Sequence, residues 1–124
     1  IHEARQLRLM IDLMDESGNS KETIGTVDLF DFDPVHQRAS MGILVANQEN
    51  RMKGFAYESL SILIRYAFET LHLHQLYCNI SNDNVASLNL FAKLGFLQIG
   101  IKRDWLRERD GWRDVCFLQL IRPD

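Results

Sequence analysis

The stretch that most limits what this chain can fold into runs from Arg38 to Ile80. Arg38 to Ala46 reads as a strand, with its apolar part from Met41 to Ala46, and it runs into a short polar loop. Phe55, Leu60, Leu63, Ile64, Ala67, Phe68 and Leu71 then fall at helical spacing, with Glu58, Ser59, Ser61, Arg65 and Glu69 on the other side. Gln75 to Ile80 returns to alternation, Leu76, Cys78 and Ile80 against Tyr77 and Asn79. A strand, a long helix and a second strand close as a right-handed crossover, which makes the two strands a parallel pair. Everything else in the chain has to be arranged around that pair.

Upstream, Gln6 to Met14 places Leu7, Leu9, Ile11 and Leu13 on one face and Arg8, Met10 and Asp12 on the other, the period of a half-buried strand. The polar run Asp15 to Glu22, with Ser17-Gly18-Asn19 inside it, closes a hairpin onto a strand from Thr23 to about Asp31, and Asp33-Pro34 marks the next turn. Downstream, Asn82-Asp83-Asn84 supplies cap chemistry for a second helix, Val85 to Leu94, stopped by Gly95. The last strands are Phe96 to about Leu106 and Arg113 to Ile121, joined through the turn dipeptide Asp110-Gly111. The expected order is βββαβαββ, an α/β fold with one mixed sheet. At 124 residues and 46% hydrophobic content, residues 1–124 are expected to form one domain with its own core.

Fourteen basic against 17 acidic residues give a net charge of −3, which offers no electrostatic case for nucleic acid or an anionic membrane surface. A small or cationic partner fits better. No apolar run approaches the ~18 residues of a membrane helix. Cys78 and Cys116 lie in apolar strand-like runs, as buried free thiols of a reducing compartment do, and the histidines at 2, 36, 72 and 74 have no metal-ligand spacing with them. The expectation is a cytoplasmic protein without a metal. The first residue is Ile1 rather than a start methionine, so the chain is expected to be trimmed, processed or renumbered.

The loop between the crossover strand and helix, Arg51-Met52-Lys53-Gly54-Phe55-Ala56, has the features of an anion site. A helix beginning there aims backbone N–H groups and the positive end of its dipole at one spot, and Arg51 and Lys53 add charge. Gly54 and the small Ala56 let a bulky diphosphate approach the main chain. The same Lys-Gly pair also serves as plain punctuation at a helix start.

Arg51 to Ala56 resembles the pyrophosphate-binding loop of the GNAT superfamily of N-acetyltransferases, and it stands where that loop stands in the family. A second signature of the family matches Asn84-Val85-Ala86-Ser87 followed by Lys93-Leu94-Gly95-Phe96. Gly25 to Leu29, His36 to Ala39 and Asp110 to Asp114 resemble the branch that contains spermidine/diamine and ribosomal-protein alanine N-acetyltransferases. Family members normally have one strand and two helices ahead of the strand placed here at Gln6, helping to form the acceptor cleft. Their absence from this chain implies a fragment, or a wall supplied by another copy.

The resemblance implies transfer of an acetyl group from acetyl-CoA to a primary amine by direct attack in a ternary complex. A polyamine is the first acceptor to consider, with a protein N-terminus or a non-catalytic acetyl-CoA sensor as alternatives. It implies that the parallel strands splay, with pantetheine pairing to Ile43, Leu44 and Val45. The diphosphate would lie on Arg51, Met52, Lys53, Gly54, Phe55 and Ala56, while Asn84 and Ser87 face the thioester end and Lys93 the polar portion. Where many relatives carry a Glu and a general-acid Tyr, this chain has Ser40 and Phe91, which leaves Ser87 as the candidate proton donor and Tyr77 as a second hydroxyl. Asn84 and Ser87 also suit a helix cap alone, Phe91 suits the core, and Tyr77 suits a sheet surface. Asp28, Asp31 and Asp33 can attract a polyamine or simply solvate a strand end, and His36 beside them is a candidate base by pKa alone or an exposed turn histidine. Many relatives associate through their final strands, which makes Trp105 and Trp112 candidate contacts in a homo-oligomer.

Overall fold

The computed structural model describes residues 6–14, 16–45 and 52–123. The order is β1 Gln6–Met14, β2 Ser20–Asp33, β3 Arg38–Val45, α1 Met52–Glu69, β4 Gln75–Ser81, α2 Val85–Lys93, β5 Leu97–Glu108 and β6 Gly111–Ile121. These elements form a mixed six-stranded sheet, ordered β1-β2-β3-β4-β6-β5, with β3 and β4 as its parallel pair. The βββαβαββ order read from the sequence is the observed one, and β6 inserts between β4 and β5.

Several boundaries move for identifiable reasons. The second strand begins at Ser20 instead of Thr23 and runs to Asp33 instead of Asp31. A bulge at Asp31, with φ +52°, absorbs one extra residue between the pairs Phe30↔Ser40 and Asp33↔Arg38, so pairing resumes where a turn was expected. The first helix stops at Glu69 rather than Leu71: the Leu71 N–H bonds Tyr66 O at 3.1 Å, and His72 turns left-handed at φ +56°. The second ends at Lys93 with Leu94 as its cap; Gly95 takes φ +99°, and the Phe96 N–H returns to Phe91 O at 3.0 Å. In the last hairpin Glu108 pairs with Gly111, so the two-residue turn is Arg109-Asp110 and Gly111 is already strand. A polar-glycine dipeptide announces such a turn to within one residue.

Strand alternation puts Val27, Leu29, Ala39, Met41, Leu76, Cys78, Ile80, Cys116 and Leu118 into one continuous buried cluster. Leu60, Leu63 and Ala67 of α1 and Phe91 of α2 complete it. Cys78 and Cys116 are free and buried, and burial pushes the Cys78 thiol up to about 12, leaving it protonated and inert at neutral pH. The opposite sheet face carries Phe30, Ser40, Tyr77 and Gln119 in register across four strands. No helix among the described residues is long and apolar enough to cross a membrane.

Candidate active site

The parallel pair is short. Only Arg38↔Gln75, Ala39↔Leu76 and Ser40↔Tyr77 are in register. Beyond them β3 stays with β2 as far as Val45↔Gly25, and β4 stays with β6 as far as Ser81↔Val115. Half of the backbone N–H and C=O groups of Met41–Val45 and Cys78–Ser81 therefore face a gap without a strand partner. Ile43 packs against the core from within β3, while Leu44 is 70% exposed on the other sheet face.

Both helices begin at the open end of this gap, because each follows one of the two parallel strands: α1 after β3 and α2 after β4. That is the end at which parallel sheets commonly bind ligands, and a helix N-terminus carries a positive partial charge suited to an anion. In the first turn of α1, Gly54 is exposed and a Cβ built on it would meet nothing within 4 Å. Next to it Phe55 is 37% exposed and Ala56 is buried. Ala46 and Arg51 lie outside the described residues, and so do the side chains of Val45, Met52 and Lys53.

At the start of α2 the Asn84 side chain accepts a hydrogen bond from the Ser87 N–H at 3.2 Å, the capping role read from the sequence. The loop before it is tied to β6. The Asn82 N–H bonds Asp114 O at 3.0 Å, and Ser81 Oγ donates to Asp83 Oδ1 at 2.6 Å. Arg113 Nε reaches Asp83 Oδ2 at 3.4 Å, while its Nη2 grips both carboxylate oxygens of Asp110 at 2.9 and 2.7 Å. The Ser81 hydroxyl, reinforced by Arg113, holds the Asp83 carboxyl below its usual range, and Arg113 does the same for Asp110. Sequence reasoning missed this brace, since the pairing of Arg113 with Asp83 spans 30 residues. Lys93 stands at the far end of α2, about 12 Å along the axis from Val85, and is not brought together with Asn84 and Ser87.

At the closed end of the gap, the final parallel pair is Ser40 with Tyr77. Ser40 is buried and Tyr77 partly so. Burial, reinforced by Asp31 and Asp33 and opposed by Arg38, pushes the Tyr77 phenol above its ordinary value, so it stays protonated at neutral pH. Tyr77 also lines an open cleft of about 380 Å³ with Asp31, Phe32, Asp33, Pro34 and Arg38. Of the acidic run, Asp28 is taken by Arg8 at 2.8 Å, and Asp33 accepts the His36 N–H at 3.0 Å and lies 3.3 Å from Arg38. Asp31 has no ion-pair partner among the described residues. His36 sits in the exposed turn. Phe91 is 1% exposed, with its ring edge-on to Phe96 at 5.1 Å, a core residue with no donor to offer.

Residues 2–97 match the family described as the acetyltransferase (GNAT) domain, and the chain belongs to that family. The spermidine N(1)-acetyltransferase of Vibrio cholerae is 28% identical over 100 residues, covering 81% of this chain and 54% of the relative. The ribosomal protein uS5-alanine N-acetyltransferase of Escherichia coli is 38% identical over 72 residues, covering 58% of this chain and 37% of the relative. Among solved structures, a chimera of the Vibrio cholerae spermidine N-acetyltransferase SpeG superposes with a TM-score of 0.81 at 26% identity, covering 98% of this chain and 69% of the other. The chain spans about half the length of the curated relatives it matches.

Proposed function

We propose that the chain is the catalytic domain of an acetyl-CoA-dependent N-acetyltransferase that acts on a primary amine, with a polyamine as its first acceptor. The observation that carries this reading is the strand pair that opens beyond Ser40↔Tyr77, with both helix N-termini at its open end. An extended ligand with amide groups satisfies the unpartnered edges of β3 and β4, Ile43, Leu44 and Val45 among them. Its diphosphate is suited by the N-terminus of α1, where Gly54 leaves open the space a side chain would fill. Arg51, Met52, Lys53, Phe55 and Ala56 complete that loop, and Asn84 and Ser87 close the gap from α2. Acetyl-CoA, when bound, supplies an activated acyl carbonyl with a thiolate leaving group.

This chain's residues must then orient an uncharged amine, donate hydrogen bonds to the carbonyl oxygen and return a proton to the departing sulfur. A lysine-like ammonium with an ordinary pKa of about 10.4 must first lose its proton, which water can carry away through the cleft beside Tyr77. Ser87 and Tyr77 are the two candidate donors. Ser87 is in the first turn of α2, and the protonated Tyr77 is at the closed end. We assign the proton donation to Ser87, with Tyr77 as second candidate. Changing Ser87 to Ala should lower kcat by roughly 10²-fold or more with acetyl-CoA affinity altered less than threefold. Equal turnover would remove Ser87 from the mechanism and turn attention to Tyr77.

The reading is tested by calorimetric titration of acetyl-CoA, followed in the same sample by release of CoA thiol on adding spermidine, a lysine amine or an alanine-starting peptide. Saturable binding with release that depends on the amine is the expected result, with spermidine ahead of the other acceptors. Release with the peptide alone would move the acceptor to protein N-termini. Binding with no release would favour a sensor, which the buried, donor-free Phe91 and the Ser40 substitution make the second reading. Absence of binding would overturn the cofactor site.

A further inference from the structure

The sheet face that carries Ser40 and Tyr77 has a feature that the reaction described above does not use. Between the pairs Lys102↔Val115 and Leu106↔Arg113, β5 advances four residues while β6 advances two, so β5 bulges. Asp104 adopts φ +50° within the bulge, and its N–H is tied to Asp114 Oδ1 at 2.9 Å. The bulge places Trp105 beside Lys102. The Lys102 ammonium lies 4.8 Å from the Trp105 ring centroid and 5.0 Å from that of Phe117. Phe117 in turn contacts Tyr77, with centroids 5.6 Å apart, and Tyr77 lines the cleft that contains Asp31 and Asp33. One continuous track thus leads from the acidic cleft, past the closed end of the strand gap, to a pair of aromatic faces already holding an ammonium.

We propose that Trp105 and Phe117 form an ammonium subsite, occupied here by the chain's own Lys102, where a second cationic group of the acceptor binds in place of that lysine. This rests on the reading of the protein as an amine acetyltransferase and narrows its acceptors to amines with two or more cationic centres. An aromatic face attracts ammonium through its quadrupole, and the position of Lys102 shows that an ammonium fits. Among the described residues no carboxylate pairs with Lys102, so its flexible stem is held mainly by the rings. Trp105 is 59% exposed, which leaves the subsite open to a ligand from solvent. A propyl- or butylamine has nothing to place there, whereas spermidine does.

The test separates the subsite from the reaction. In a Trp112→Phe background Trp105 is the one remaining tryptophan of the sequence. Its emission, followed during titration with spermidine or with tetramethylammonium, should change saturably. Adding Lys102→Met should move the midpoint to roughly 2- to 30-fold lower concentration, the range of a cation–π contact expressed as affinity. In turnover assays Trp105→Ala should raise KM for spermidine by a similar factor with a much smaller effect on KM for propylamine, and Trp105→Phe should restore most of the loss. A flat titration, a midpoint unmoved by Lys102→Met, or equal effects of Trp105→Ala on the two amines would overturn the subsite. If no amine is acetylated, the enzymatic reading fails, while the fluorescence titration still decides the subsite.

Discussion

Replacing Gly54 with glutamate should reduce acetyl-CoA affinity by at least ~100-fold, about 3 kcal/mol, while leaving the protein folded. Gly54 is exposed in the first turn of α1, and a Cβ there meets nothing within 4 Å, so the new side chain disturbs no packing. An acidic residue in a first helical turn even complements the dipole. What it disturbs is the space and potential offered to a diphosphate. Calorimetry measures the affinity, and far-UV circular dichroism with a thermal melt establishes that the fold persists. A sharper version is Gly54→Ala, which should stabilise α1 by roughly 0.5–1 kcal/mol and yet weaken binding. Stability and affinity moving in opposite directions would show that this glycine serves the ligand. Wild-type affinity in Gly54→Glu would remove the loop from the binding site.

Phe91→Ala should cost about 3–5 kcal/mol of stability and lower the melting midpoint on the order of 10–20 °C. Phe91 is 1% exposed, packs edge-on against Phe96, and joins α2 to the cluster of Ile80, Cys78, Cys116 and Leu118. Truncation leaves a cavity among close-packed residues of β4, β6 and α2 that cannot all relax into it. Urea denaturation measures the loss. A change under 1 kcal/mol would mean that the ring is not part of the core and would reopen a role for this position at the gap. The effect belongs to stability rather than to chemistry, since a phenyl ring has no proton to give.

The local signals in the sequence carried a long way. Periodicity placed each strand and both helices, the crossover from Arg38 to Ile80 required a parallel pair, and Asn84 and Gly95 punctuated the second helix where their chemistry says they should. The two loop signatures identified the family before any contact was known. These features depend on short-range properties: alternation, helical spacing, cap hydrogen bonds and left-handed glycine conformations. Only the tertiary structure decided how far the parallel strands stay together. Separation after Ser40↔Tyr77 depends on β3 keeping its pairing to β2 and β4 keeping its pairing to β6, which no local window contains. The bulges belong to the same class. They shift register by one or two residues, and in doing so set Asp31 at the cleft and Trp105 over Lys102. Arg113 reads as one more strand charge until the fold brings Asp83, 30 residues upstream, to it, because an ion pair between distant residues leaves no periodic trace in the chain.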